Sequence, residues 1–335
     1  MFPRIYVAVV ILGLAILGAV AMLPPPPFST NPAHLSCLGR DILFDSKMAQ
    51  VRAEPKYDVL TFGNSRILDV GEAELNIPGI RYFNFANGGT SFRQSVVALE
   101  QVARVGKAPK VAILSFDHPA LVYAQLPYAW PLPPDRWKFL AEDFQGLLDG
   151  THVVGPDWRK FRQRIFTEEV GALARLVNFF RLKNTLSAYF PSAGDDASCN
   201  LFRPDGSRGR TSLPHADLDG AAARPWPIYE DRYPLLEHDL DVLAGIQATG
   251  TAVVIYESPL YPAITTELNS RLPEEMARQR QRLMDGCRSR GLDCRPAPMI
   301  EGSDTEGHWP DATHAPPRLL GRWVAELVRA HLSTP

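Results

Sequence analysis

The sequence has almost no net charge and none of the common nucleotide or metal motifs. Its 35 Lys and Arg residues balance 37 Asp and Glu residues, which gives a net charge of −2. This balance provides no electrostatic bias toward nucleic acid, so we expect no nucleic-acid partner. The chain also lacks a P-loop, a Gly-x-Gly-x-x-Gly fingerprint, a Cys-x-x-Cys pair and any His, Asp or Glu cluster with metal spacing. We therefore expect a site without a metal or cofactor.

Cysteines are few, and their positions favour disulfides. The chain has 4 of them. Cys287 and Cys294 bracket a short turn that contains Gly291, which predicts a disulfide between them. Cys37 and Cys199 remain as a candidate long-range pair, and disulfides fit an exported protein. The alternative is that all four are unpaired or buried thiols.

A long uncharged apolar run lies near the N-terminus. Residues 5–23 are about long enough to cross a bilayer as a helix, which the prolines at 24–27 would end, and Arg4 favours an N-in orientation. We predict a single-pass anchor in the inner (cell) membrane, with residues 1–4 cytoplasmic, a Pro-rich stalk over 24–36 and a periplasmic domain over 37–335. The alternative is a cleaved signal peptide, because residues 19–21 fit the small-x-small pattern. The body is exported in both cases.

Apolar runs alternate with helical patterns in the rest of the chain. The runs that resemble buried parallel strands are 58–62, 81–86, 111–116 and 252–257. Helical patterns occupy 91–105, 234–248, 273–290 and the C-terminal segment. This alternation predicts an α/β fold with a doubly wound parallel sheet. Residues 120–230 are too many for a loop, so they predict a large helical insertion that forms a cap or lid.

Unusual polar residues follow three of the predicted strands, where an α/β sheet gathers its reactive groups. Ser65 and Arg66 end the turn after the first run, and Asp117 follows the third. Near the C-terminus, Asp311 and His314 are three residues apart, so the carboxylate can orient the imidazole. An oriented imidazole is the base that a serine hydroxyl needs. The pattern predicts Ser65 as a nucleophile.

A glycine pair follows the second predicted strand. Gly88 and Gly89 let the backbone approach a bound group and offer it an N–H. Together with the N–H of Ser65, this donor would make an oxyanion hole.

Several of these residues also have a plainer interpretation. Ser65 could be an ordinary helix N-cap. Arg66 could be a solvated surface residue rather than a group that binds an anionic or carbohydrate substrate. His118 and His308 are competing bases, but neither has a carboxylate three residues upstream in a turn, so we favour His314.

These blocks together resemble the SGNH (GDSL-like) hydrolase superfamily over about residues 57–118 and 252–333. The resemblance implies a three-layer flavodoxin-like fold with helices on both faces of the parallel sheet. It also implies Ser65 as the nucleophile, Gly89 or Gly88 as an oxyanion donor, Asp311 as the orienting acid and His314 as the base.

The chain departs from the superfamily at two positions. Asn64 stands where the family has the aspartate before its serine, and Asp117 stands where it has the asparagine of a Gly-x-Asn-Asp block. Asp117 could donate to an oxyanion only if it were protonated, because an ionised carboxylate only accepts hydrogen bonds. Asn87 is the alternative third donor.

The turn at 63–66, the apolar N-terminus and the altered third block are similar to a membrane-tethered branch of the superfamily. That branch includes the alginate O-acetylation proteins and the DltD-like proteins of teichoic acid alanylation. The resemblance implies acyl transfer, above all acetyl transfer, to or from hydroxyls of an envelope polysaccharide or acylated glycan, beside a membrane-bound O-acyltransferase. The alternatives are a periplasmic carbohydrate esterase and a catalytically degenerate scaffold that binds polysaccharide for a membrane O-acyltransferase.

Overall fold

The structure, a computed structural model, describes residues 2–21, 23, 25–38, 40–117, 179–190, 202–209, 236–271, 273–298, 309–311 and 313–332. The chain divides into two compact units. The first comprises Met1–Gln50 and Pro127–Asn200, and the second comprises Val51–Leu126 and Leu201–Pro335. Most of the insertion predicted over 120–230, and the candidate bases His118 and His308, lie outside the described residues.

The described elements are numbered in chain order. The helices are α1 (Phe2–Ala21), α2 (Pro32–Cys37), α3 (Arg40–Ala53), α4 (Ser65–Leu68), α5 (Glu72–Leu75), α6 (Phe92–Arg104), α7 (Phe179–Tyr189), α8 (Leu236–Gln247), α9 (Pro262–Arg271), α10 (Pro273–Ser289) and α11 (Pro317–Leu332). The strands are β1 (Val59–Phe62), β2 (Tyr82–Asn84), β3 (Val111–Phe116), β4 (Ala252–Glu257) and β5 (Asp293–Arg295).

The first unit contains α1, α2 and α7. Helix α1 has exposed apolar side chains, including Tyr6 and Val9. No helix in the described part of the chain is long and apolar enough to cross a membrane. The anchor predicted over 5–23 stays a prediction.

The region predicted as a Pro-rich stalk is partly folded. A single 3-10 turn covers Phe28–Thr30, and α2 follows it directly. Phe28 and Leu35 are both fully buried at 0% exposure. The His34 Nε2 atom lies 2.7 Å from the Ser187 carbonyl oxygen, which joins α2 to α7. Residues 28–37 therefore pack within the first unit and do not form an extended spacer.

The second unit contains a five-stranded parallel sheet with the order β2-β1-β3-β4-β5. Each of the four predicted apolar runs contains one strand, and nearly all residues of these strands are buried. Strands of a parallel sheet are covered on both faces, which is why they appear as continuous apolar runs in the sequence. The fifth strand was not predicted. The protein is thus an α/β protein, with the strand order of flavodoxin-like folds.

One face of the sheet packs on α4, α5 and α11 through a single hydrophobic cluster, which includes Val59, Ile113, Val254, Ile67, Leu75 and Val324. Helices α5 and α11 approach closely at Gly321. A Cβ atom at Gly321 would lie 2.7 Å from the backbone oxygen of Glu74, so a larger residue does not fit. This close packing fixes α11, which begins three residues after His314.

Residues 202–209, called here the edge segment, cover the free side of β2. The Asn84 N–H donates to the Asp205 carbonyl over 2.7 Å, and the Arg208 N–H donates to the Leu68 carbonyl over 2.9 Å. The Arg208 guanidinium also donates to both carboxylate oxygens of Asp69, at 2.7 and 3.1 Å. The segment lies inside the predicted insertion, yet it is part of the second unit.

Candidate active site

The candidate site lies where the sheet order reverses, between the carboxyl ends of β1 and β3. From β1 the chain continues to β2 on one side, whereas β3 leads to β4 on the other side. Such a reversal opens a crevice in an α/β sheet. Gly63 sits there with a φ of +150°, and a Cβ on it would lie 1.9 Å from Ser115 Oγ. Only glycine allows this approach of the two strand ends.

Ser65 is the first residue of α4. The preceding Asn64 is the N-cap, because its side-chain oxygen accepts from the Arg66 N–H at 3.0 Å. The interpretation of Ser65 as an N-cap is therefore wrong. Its side chain is half-buried, and neither its hydroxyl nor its N–H has a hydrogen-bond partner within the described residues. Within the described residues, nothing blocks either group from a hydrogen bond to a substrate.

The Asn84 side chain bonds the C-terminal end of the single turn α4. Its amide nitrogen donates to the Ile67 carbonyl at 2.9 Å and to the Val70 carbonyl at 2.8 Å. Its amide oxygen accepts from the Ala86 N–H at 2.8 Å. A four-residue helix is too short to be stable alone, so this side chain fixes the C-terminal end of α4.

The turn after β2 is joined to the turn of the nucleophile. The Asn87 N–H donates to the Gly63 carbonyl at 3.0 Å, and the Asn87 carbonyl accepts from the Thr90 hydroxyl at 2.6 Å. Gly88 follows directly, half-buried, and its N–H has no partner in the described part of the chain. Gly89 is exposed and adopts a φ of +67°. Of the two glycines, Gly88 is therefore the better candidate donor.

Asp311 and His314 form a close pair. The His314 Nδ1 atom lies 2.8 Å from each carboxylate oxygen of Asp311. The Thr313 N–H and hydroxyl both donate to Asp311 Oδ1 at 2.8 Å, and the His314 N–H donates to it at 3.0 Å. Thr313 therefore helps to orient the carboxylate, a role that the sequence did not indicate.

This pair keeps Asp311 ionised and orients the His314 ring. Burial raises the pKa of Asp311, but the hydrogen bonds and charge of His314, together with those of Thr313, outweigh burial and hold the pKa well below its usual value. An ionised carboxylate at Nδ1 keeps the ring proton on that nitrogen. The His314 Nε2 atom is buried and has no hydrogen-bond partner in the described part. Its lone pair is available to take a proton.

The Asp311 turn lies beside the carboxyl end of β4. The Trp309 ring packs edge-on against Tyr261, which follows β4, with 5.7 Å between ring centroids. Trp309 and Ala315 belong to the same hydrophobic cluster as Ile67 of α4. The cluster thus connects the segment carrying the base with the helix that begins at Ser65.

Asn64, Arg66 and Asp117 form a buried polar cluster between β1 and β3. The Asn64 amide donates to Asp117 Oδ1 at 2.7 Å, and Arg66 Nη1 donates to the same oxygen in an ion pair. Arg66 and Asp117 are each 8% exposed. The prediction of a solvated surface Arg66 is therefore wrong.

The same contacts bear on Asp117, which the sequence offered as an oxyanion donor only if it were protonated. A carboxylate oxygen that accepts from an amide and a guanidinium acts as an acceptor, not as a donor. The two departures from the SGNH pattern, at Asn64 and Asp117, are also in direct contact. The amide lies on the β1 side and the carboxylate on the β3 side.

Other polar groups at this end of the sheet were not predicted. The Tyr256 hydroxyl on β4 is fully buried without a hydrogen-bond partner in the described part, as is the neighbouring Ser115 hydroxyl on β3. Burial raises the pKa of Tyr256 far above its usual value, and the charge of Asp117 raises it further. Glu257, the last residue of β4, pairs with Arg280 of α10 at 2.7 Å. The sequence signal that could have identified Ser115, Tyr256 and Glu257 is their position near the carboxyl ends of predicted strands.

The cysteines and possible metal ligands complete the survey. Cys287 and Cys294 are joined by a disulfide between α10 and β5. Cys37 is also disulfide-bonded, and Cys199 lies outside the described residues. Within the described ranges, no group of three or more His, Cys, Asp or Glu side chains could hold a metal ion.

Comparisons with known proteins add no relative. No family model, no curated protein and no solved structure matches the chain.

Proposed function

We propose that the protein transfers acyl groups, above all acetyl groups, to or from hydroxyls of an envelope polysaccharide through an acyl-Ser65 intermediate. The observation that carries this proposal is the Asp311–His314 pair. Its carboxylate holds Nδ1 at 2.8 Å, and its Nε2 is buried without a partner in the described part. Such an imidazole can act as a general base for a hydroxyl group. The Ser65 hydroxyl, which has no hydrogen-bond partner among the described residues, is the candidate, since Ser65 follows β1 at the carboxyl end of the sheet.

The chemistry follows from these groups. His314 Nε2 removes the Ser65 proton while Oγ attacks the ester carbonyl. The resulting oxyanion accepts hydrogen bonds from the N–H groups of Ser65 and Gly88. The imidazolium then protonates the departing alkoxide, which leaves an acyl-Ser65 ester. An acceptor hydroxyl gives its proton to Nε2, attacks this ester and releases Ser65, which regains its proton. Asp311 stays ionised throughout and stabilises the imidazolium.

The finer parts of the proposal have their own support. The strand order and the positions of Ser65, Asp311 and His314 support a three-layer SGNH fold. The disulfide between Cys287 and Cys294 supports an oxidising, extracytoplasmic compartment. The inner-membrane anchor, the polysaccharide acceptor and a membrane-bound O-acyltransferase partner rest on the sequence and its resemblance.

The first test is intact-mass analysis of the full chain after incubation with p-nitrophenyl acetate. We expect an acetyl adduct on the wild type and none on Ser65→Ala. Equal behaviour of the two folded proteins would overturn the proposal and favour a non-catalytic scaffold.

A second measurement separates transfer from hydrolysis. Added oligosaccharide acceptor should convert the acyl-enzyme to an acetylated sugar. Release of free acetate at the same rate with and without the acceptor would make the protein an esterase.

A further inference from the structure

We propose that Asp117 is a positioning residue for Ser65, an inference that rests on the proposed acyl transfer. Asp117 follows β3, whereas Ser65 follows the neighbouring strand β1. Both residues that flank Ser65 donate to the same Asp117 oxygen, Asn64 at 2.7 Å and Arg66 through Nη1. The Asp117 carboxylate, directly after β3, thus contacts both neighbours of Ser65.

The Asn64 side chain connects the Asp117 contact to the N-terminal cap of α4. Its oxygen caps α4 by accepting from the Arg66 N–H at 3.0 Å, while its nitrogen donates to Asp117. Because both ends of the amide are engaged, the Asn64 side chain links the backbone of Arg66 to the Asp117 carboxylate. The bonds to the carboxylate are charge-assisted and shielded from water, so they are among the stronger ones available.

The other contacts of helix α4 lie away from its N-terminal end. It is a single turn of four residues, and its far end is fixed by Asn84. The N-terminal end, which carries Ser65, depends on Asn64 and therefore on Asp117. A displacement of about 1 Å at a reacting atom can lower a rate about 100-fold, so this contact bears directly on acylation.

A second buried pair provides a matched control for stability. Arg93 Nη1 donates to Asp239 Oδ1, and Asp239 is fully buried at 0% exposure. This pair joins α6 to α8. Replacing either aspartate by asparagine removes a carboxylate that pairs with a buried arginine, but of the two only Asp117 contacts the neighbours of Ser65.

The experiment measures the acylation of Ser65 by p-nitrophenyl acetate in the full chain. We expect Asp117→Asn to lower the rate constant for acylation about 100-fold with little change in KM. Asp239→Asn should lower stability but keep the wild-type rate constant.

An exchange variant supplies the rescue. Asn64→Asp combined with Asp117→Asn places the acceptor on β1 and the donor on β3, so the bond across the strands can re-form. We expect it to regain about tenfold over the single Asp117→Asn variant, as for contacting residues that couple.

The outcomes distinguish the two proposals. A wild type that is no more reactive than Ser65→Ala removes the proposed function, and the inference with it. A reactive wild type with a folded, equally fast Asp117→Asn variant overturns the positioning role alone. If Asp117→Asn does not fold, the exchange variant decides: a folded and reactive protein supports the role. An exchange variant that is inert or unfolded overturns it.

Discussion

Gly63 offers a sharp test of how the two strand ends meet beneath the site. In Gly63→Ala the new methyl group would lie 1.9 Å from Ser115 Oγ and 2.8 Å from Ile67 Cγ2. Position 63 also has a φ of +150°, a backbone conformation that residues with a side chain rarely adopt. The variant must therefore bear both backbone strain and overpacking.

The two costs can be added. Backbone strain contributes about 1–3 kcal/mol, and an extra methyl group in a close-packed region contributes about 1–3 kcal/mol. We expect Gly63→Ala to lower the free energy of unfolding by about 2–6 kcal/mol, measured by urea denaturation followed by circular dichroism. This loss is a large part of the about 5–15 kcal/mol that usually stabilises a protein.

Two further variants separate these costs. Gly79 has a φ of +79° but no atom within 4 Å of its Cβ position, so Gly79→Ala carries only the strain. Adding Ser115→Ala to Gly63→Ala removes the oxygen at 1.9 Å and should recover part of the loss. The reasoning is refuted if Gly63→Ala costs no more than Gly79→Ala, or if the second substitution recovers nothing.

Three more perturbations probe the surroundings of the site. Arg208→Ala should lower the free energy of unfolding by about 1–3 kcal/mol, because the side chain of Asp69, 4% exposed, loses its two-bond partner. Replacing Cys287 and Cys294 by alanine should cost about 2 kcal/mol for so short a loop, again by urea denaturation. Asp311→Asn should lose a stability that depends on pH. Since the folded pKa of Asp311 lies below the unfolded value of about 3.9, its contribution is complete above that pH and is lost as the pH falls toward the folded value.

Each of these perturbations has a control. Arg288→Ala breaks an exposed ion pair, with side chains 74% and 51% exposed, and should change stability by less than about 1 kcal/mol. A loss as large as that of Arg208→Ala would contradict the role given to the edge segment. An equal denaturation midpoint with and without the disulfide would exclude its contribution. For Asp311, a stability gap that is the same at about pH 7 and about pH 3 would contradict the depressed pKa.

The sheet could be predicted because its strands are buried on both faces. β3 and β4 coincide with the predicted runs 111–116 and 252–257, and β1 lies one residue inside its run. β5 was missed because two of its three residues are charged and it pairs only with β4. Helices α4 and α5 were missed because four residues are too few to show a helical period.

In the candidate site, contacts between residues close in sequence could be predicted, whereas contacts between distant residues could not. Asp311 and His314 are three residues apart, so their pairing could be proposed from spacing alone. Asp117 is 53 residues from Asn64 and 51 from Arg66, and only the strand order brings them together. For this reason the sequence suggested an oxyanion donor at a position where the structure has a hydrogen-bond acceptor.

This contact also bears on whether the site has degenerated. The two departures from the resembled SGNH pattern, asparagine at 64 and aspartate at 117, would each count against catalysis if taken alone. In the structure they are two halves of one hydrogen bond at 2.7 Å, with amide and carboxylate exchanged between the strands. If this contact positions Ser65, as we propose, both departures are compatible with catalysis, and the exchange variant measures how much of the Ser65 geometry depends on it.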